Sequence, residues 1–173
     1  MRVIWKAAAV VAMVAVPTSA QAQAGCLTEP EATALFEYAL PELLDSVASK
    51  CGPELPKTAF LASQAPQLVA RYRASGGASW PLAKAAFLKS TGDDETGGKI
   101  LAAMPDDAMK GLLGAGIATV IAGDIKTSDC PRIDKLVAAL APLPAANLST
   151  LIVQLMTLTG GGGKDDDFQI CKA

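Results

Sequence analysis

Four cysteines, Cys26, Cys51, Cys130 and Cys171, constrain this chain more than any other feature. They lie behind a stretch that reads as an export signal, and no two of them form a C-x-x-C pair. Zinc ribbons and thioredoxin-type redox motifs are therefore excluded. In an oxidising compartment two structural disulfides are expected, and four cysteines allow three pairings.

Helix geometry narrows the choice. Between Cys26 and Cys51 apolar residues recur at Ala32, Leu35, Phe36, Ala39, Leu40, Leu43, Leu44, Val47 and Ala48, spaced three and four apart. That spacing is the stripe of an amphipathic helix. Thr28 and Glu31 form a capping box at its start, and Gly52 followed by Pro53 ends it. Pro41 falls inside the stripe without disturbing its phase, which predicts one kinked, continuous helix. A helix of roughly 22 residues is roughly 30 Å long. Disulfide-bonded Cα atoms lie within about 7 Å. A continuous helix therefore keeps Cys26 from Cys51 and sends each to Cys130 or Cys171. A chain folded back at Pro41 would instead permit the local bond.

The first 24 residues have the layout of a secretory signal peptide. Arg2 and Lys6 precede an apolar run from Ala7 to Val16, and Ala20-Gln21-Ala22 and Ala22-Gln23-Ala24 are cleavage sites of the A-x-A type. Periplasmic or secreted localisation is expected. Lipidation at Cys26 is disfavoured, because Gln23 stands where an aliphatic residue is usual and an odd thiol would remain. Loss of Arg2 and Lys6 takes 15 basic residues to 13 against 17 acids, moving the net charge from −2 to −4. No basic patch for nucleic acid is present. The longest apolar stretch in the remainder, Leu112 to Gly123, is too short for the ~20 residues of a membrane span and reads as a buried core helix.

The rest of the chain reads as helix. Segments are expected at Lys57 to Ala74, kinked at Pro66, and from a Ser79 cap to Ser90. Others are expected from Lys99 to Met104, after Pro105, after an Asp129 cap, and from Ala145–Asn147 to Leu158. Thr91 to Gly98 reads as a loop. The expected fold is all-α: a single bundle of about five to six helices, two disulfides and no sheet. Residues 25–159 form the domain; residues 160–173 form a glycine-rich linker and a tail tethered through Cys171, with Phe168 and Ile170 packing beside it.

The chain contains no histidine, so Ser-His-Asp and Cys-His catalysis and histidine-ligated zinc are impossible. No serine lies in an S-x-x-K motif. The run Gly160 to Lys164 lacks the spacing and the Ser or Thr of a P-loop, and Gly114-Ala115-Gly116 lacks the third glycine of a dinucleotide fingerprint. The acidic groups Asp93-Asp94-Glu95, Asp106-Asp107 and Asp165-Asp166-Asp167 lack the spacing of an EF-hand and read as solvated charge. No cofactor and no metal site is expected. Asn147-Leu148-Ser149 is a glycosylation sequon that serves equally as a helix start. Arg71, Tyr72 and Arg73 with Trp80 make the densest basic–aromatic cluster and the candidate ligand surface.

These features favour an exported, non-enzymatic helical domain that binds a partner protein or a small ligand, with no nucleic acid and no stable membrane span. Two alternatives remain. One is a carrier of lipid or apolar ligands, or a membrane-active protein; the other is a histidine-free hydrolase working through carboxylates.

Overall fold

The computed structural model describes residues 26–91, 97–159 and 169–171. The signal segment, the acidic groups at 93–95 and 165–167, the glycine run and Phe168 lie outside the described residues.

The first helix, α1 (Glu29–Cys51), is continuous through Pro41. The capping box forms as both of its halves: Thr28 Oγ1 accepts from the Glu31 amide at 3.4 Å, and Glu31 Oε2 accepts from the Thr28 amide at 2.7 Å. At the other end Gly52 stays right-handed, so α1 runs into a 3-10 turn (Gly52–Glu54) instead of ending in a left-handed cap. Seven further helical segments follow: α2 (Phe60–Ser63), α3 (Ala65–Gly76), α4 (Trp80–Ser90), α5 (Gly97–Ala103), α6 (Asp106–Asp124), α7 (Cys130–Leu140) and α8 (Ala145–Thr159). One of these, α2, is a single turn, so the described residues hold seven helices longer than a turn, more than the five to six expected.

Helix α1 is the axis of the fold, and α3, α4, α6 and α8 all pack on it. Small residues permit this: Ala32 and Ala34 are buried along α1, and Ala83 and Ala86 along α4. The contacts fix directions. Trp80 packs against Tyr38 with ring centroids 4.7 Å apart and the planes tilted, while Lys89 reaches Glu31 at 2.9 Å, so α4 runs antiparallel to α1. Gly76 at the end of α3 passes close to the Glu37 carbonyl.

Two disulfides join distant parts of the chain. Cys26 is bonded to Cys171, and Cys51 to Cys130. The expectation of no sheet is corrected by a small one: β1 (Cys26–Leu27) pairs in parallel with β2 (Gln169–Ile170), and the Cys171 amide donates to the Leu27 carbonyl at 2.8 Å. The Cys26–Cys171 bond sets two short end segments side by side, where their backbone groups satisfy each other. Two-residue strands leave no period to read in a sequence.

Other local expectations shift. Pro66 has no amide to complete a helical turn, so the segment expected from Lys57 breaks at Gln64, and α3 restarts with Pro66 in its first turn. Gly97 and Gly98 belong to α5 rather than to a loop. Ser79 does not cap α4; its hydroxyl donates to Glu37 Oε2 at 2.7 Å. Asp129 makes no side-chain cap on α7. Asn147 sits inside the first turn of α8, which begins at Ala145.

The largest departure is α6, expected in the core. Among its described side chains only Met109 is buried. Met109, Leu113 and Ile117 line the face toward the bundle, each four residues on from the last, and Leu112 on the flank of that stripe is 47% exposed. No described helix is long and apolar enough to cross a membrane. The two disulfides indicate an oxidising, extracytoplasmic environment.

Candidate functional site

The candidate cluster divides along helix geometry. On α3, Tyr72 points into the core at 1% exposure. Successive helical residues turn by about 100°, so Arg71 and Arg73 leave on opposite flanks of Tyr72. Arg73 turns toward α1, where it meets Glu42 Oε1 at 3.1 Å and Asp45 Oδ2 at 3.1 Å. Its pKa is raised, first by the hydrogen bonds it donates to Glu42, against a smaller effect of burial. This cation is neutralised in place.

Trp80 is elsewhere. It is buried at the start of α4, its indole Nε1 donates to Asp106 Oδ2 at 2.8 Å, and Lys110 Nζ lies 5.1 Å from the ring centre. Asp106 also holds Lys84 at 2.7 Å, and these hydrogen bonds, Lys84 first, lower its pKa. The structure therefore keeps Trp80 and Arg73 apart from Arg71 and assigns both to packing and pairing.

Arg71 has a different setting. Its guanidinium donates to the carbonyl of Ala141, just beyond the end of α7. Helix C-terminal carbonyls favour such a cation. The guanidinium carbon lies 5.6 Å from the Tyr72 ring centre. The Tyr72 hydroxyl in turn donates to the Leu143 carbonyl at 2.8 Å; burial raises its pKa, and Arg71 works against that rise. Among the described residues no carboxylate pairs with Arg71. It is an exposed, anchored cation whose charge is not neutralised.

Two clefts open beside it at the turn between α7 and α8, where the chain bends by 118° through Pro142 and Pro144. One, of about 280 Å³, is walled by Tyr72, Pro142, Leu143, Pro144 and Ala146, and Glu37 stands at its edge. The other, of about 420 Å³, is walled by Phe60, Gln64, Gln67 and Ala138. The first presents mainly apolar surface and the second mainly polar surface, and both are lined by Arg71 and Pro142.

No family profile, characterised protein or solved structure matches the chain.

The chemistry of the described residues is therefore the guide. No group of three potential metal ligands occurs among them, and all four cysteines are in disulfides. Glu37 is the one carboxylate lining either cleft, and it already accepts the Ser79 hydroxyl. Two converging carboxylates, as glycoside hydrolysis requires, are not found at this site. The clefts bring together one anchored cation, carboxamides on one side and an apolar wall on the other. The sequence reading missed Gln64, Gln67, Pro142 and Glu37, because they come from three separate segments that meet only after α7 and α8 fold back across α3.

Proposed function

We propose that this chain is an exported, disulfide-stapled binding module, and that its ligand site is the pair of clefts at Arg71. One observation carries the reading: the Arg71 guanidinium is held on a backbone carbonyl, faces two clefts, and has no carboxylate partner among the described residues. A preorganised cation of this kind loses little entropy on meeting an anion. Compartment and role agree. Arg2, Lys6, the apolar run and the A-x-A sites support export to a periplasm or the outside, where the disulfides are stable.

The test is a titration of the oxidised, isotope-labelled full chain with hexanoate, followed by amide and arginine side-chain resonances. Shifts centred on Arg71, Ala145 and Ala146, lost in Arg71→Gln, are expected. Unmoved resonances there, with or without the substitution, would remove the proposal.

A second reading has its own support. Leu112 on α6 and Leu151, Leu155 and Leu158 on α8 are exposed by 41–80%, which suits an apolar-ligand or membrane-surface role. Co-sedimentation with anionic vesicles, reduced by Leu155→Gln with Leu158→Gln, would favour it. Complete absence from the vesicle pellet would end it.

A further inference from the structure

We infer that the ligand of the Arg71 clefts is an extended peptide segment carrying one internal acidic side chain, with an apolar neighbour on one side of it. This rests on the proposal that these clefts are the ligand site.

Three features lead to it. The first is the position of the charge. Arg71 and Pro142 line both clefts, so the cation stands between them. A ligand whose anion ends its chain, such as a fatty acid or a peptide C-terminus, continues in one direction only and fills one cleft. A ligand whose anion branches from the middle of a chain continues both ways. An aspartate or glutamate side chain within an extended peptide has that form.

The second is the difference between the walls. Gln64 and Gln67 offer carboxamides, each with donors and an acceptor, which match the alternating N–H and C=O groups of a peptide backbone. Across Arg71 the wall is the Tyr72 ring, Pro142, Leu143 and Pro144, suited to an aliphatic or aromatic side chain. Polar backbone on one side and an apolar side chain on the other describe a peptide better than a uniform hydrocarbon.

The third is the count of charges. Arg73, two residues along, is already engaged by Glu42 and Asp45, so the site has one uncompensated cation. Glu37 at the edge of the apolar cleft repels a second acid there. Polyanions, including nucleic acid, are unsuited; a single acid flanked by an apolar residue is suited. The Arg71 hydrogen bond to the Ala141 carbonyl, made through one terminal nitrogen, keeps the guanidinium fork from swinging away and leaves its other N–H groups for a carboxylate.

The experiment uses a phage-displayed random dodecapeptide library selected on the biotinylated, oxidised full chain, followed by fluorescence anisotropy of the enriched peptides. Enrichment of one Asp or Glu beside an apolar residue is expected. Replacing that acid by its amide should weaken binding on the order of tenfold to a hundredfold, as for loss of a charge-assisted hydrogen bond. Arg71→Gln should do the same. Because Arg71 also holds Ala141, Gln67→Glu is the second variant: it places a carboxylate in the polar cleft without touching that bond. It should weaken binding comparably with an unchanged melting temperature. Ala146→Trp should close the apolar cleft and abolish the preference for the apolar neighbour. Peptides that bind equally with acid or amide, or equally to wild type and Gln67→Glu, overturn the inference. If hexanoate moves the Arg71 resonances but no acid-centred peptide binds, the peptide inference fails and the site stands. If hexanoate also leaves them unmoved, both fall.

Discussion

Cys26 is bonded to Cys171 across 145 positions of chain, with Cα atoms 5.1 Å apart. The bond holds β2 against β1 and closes a core patch of Leu27, Ala32, Ala86 and Val153. Cys51–Cys130, spanning 79 positions, is fully buried at both sulfur-bearing residues and ties the end of α1 to the start of α7.

Removing either bridge should cost about 2–4 kcal/mol, chiefly through the longer unfolded chain. Urea unfolding of Cys26→Ser/Cys171→Ser and of Cys51→Ser/Cys130→Ser measures it. Because Cys171 is partly exposed while Cys51 and Cys130 are not, limiting dithiothreitol should open Cys26–Cys171 first. Peptide mapping that finds Cys51 and Cys130 alkylated first would contradict this.

Glu31 makes the start of α1 acid-sensitive. Burial works to raise its pKa, but hydrogen bonds from the Thr28 backbone and from Lys89 outweigh it, and the folded value lies below the ordinary 4.5. A depressed carboxyl pKa adds stability that is fully present above the unfolded value and is lost as pH falls through the folded one. Stability should therefore decline below pH 4.5, and Glu31→Gln should flatten that decline while costing about 1 kcal/mol at neutral pH. Parallel stability curves for the two proteins between neutral and acid pH would count against the assignment.

Ser149 is fully buried on α8, and among the described residues its hydroxyl has no hydrogen-bond partner. Ser149→Ala removes that unmet group and improves helix propensity, so stability should rise by up to about 1 kcal/mol. A loss of that size in a thermal melt would show that the hydroxyl is satisfied after all.

Gly76 lies where α3 crosses α1. A Cβ there would stand 3.3 Å from the Glu37 carbonyl oxygen, with Tyr38 backbone beside it. Backbone yields poorly, so Gly76→Ala should destabilise by about 1–3 kcal/mol despite its better helix propensity. Gly77→Ala, whose Cβ meets nothing within 4 Å, is the control and should be neutral or slightly stabilising. Equal melting temperatures for the two variants would remove the close approach as an explanation.

The helices were legible wherever a local signal was complete. Thr28, Glu31 and the unbroken apolar phase around Pro41 describe α1 from within its own sequence, and the helical content of the remainder follows from spacing in the same way. Breaks were legible only in part. Pro66 reads as a kink, yet the chain restarts there, because the missing amide falls where a following turn can begin afresh. The site was the least legible. Arg71, Tyr72 and Arg73 are contiguous, but one fronts a cleft, one is core and one is paired.

By itself the sequence pointed to the central helix and, through that helix's length, favoured other partners for Cys26 and Cys51, with a fold-back at Pro41 as the alternative. Only the tertiary structure decided which partners these are, that α6 lies on the outside, and that Arg71 and not Arg73 keeps an unneutralised charge. The physical reason is range. Capping and amphipathic spacing act within a few residues and are written in order along the chain. Disulfide partners, the neighbour of an apolar face and the pairing of a surface cation depend on which helices pack together, and that balance is struck between segments up to 145 positions apart in the chain.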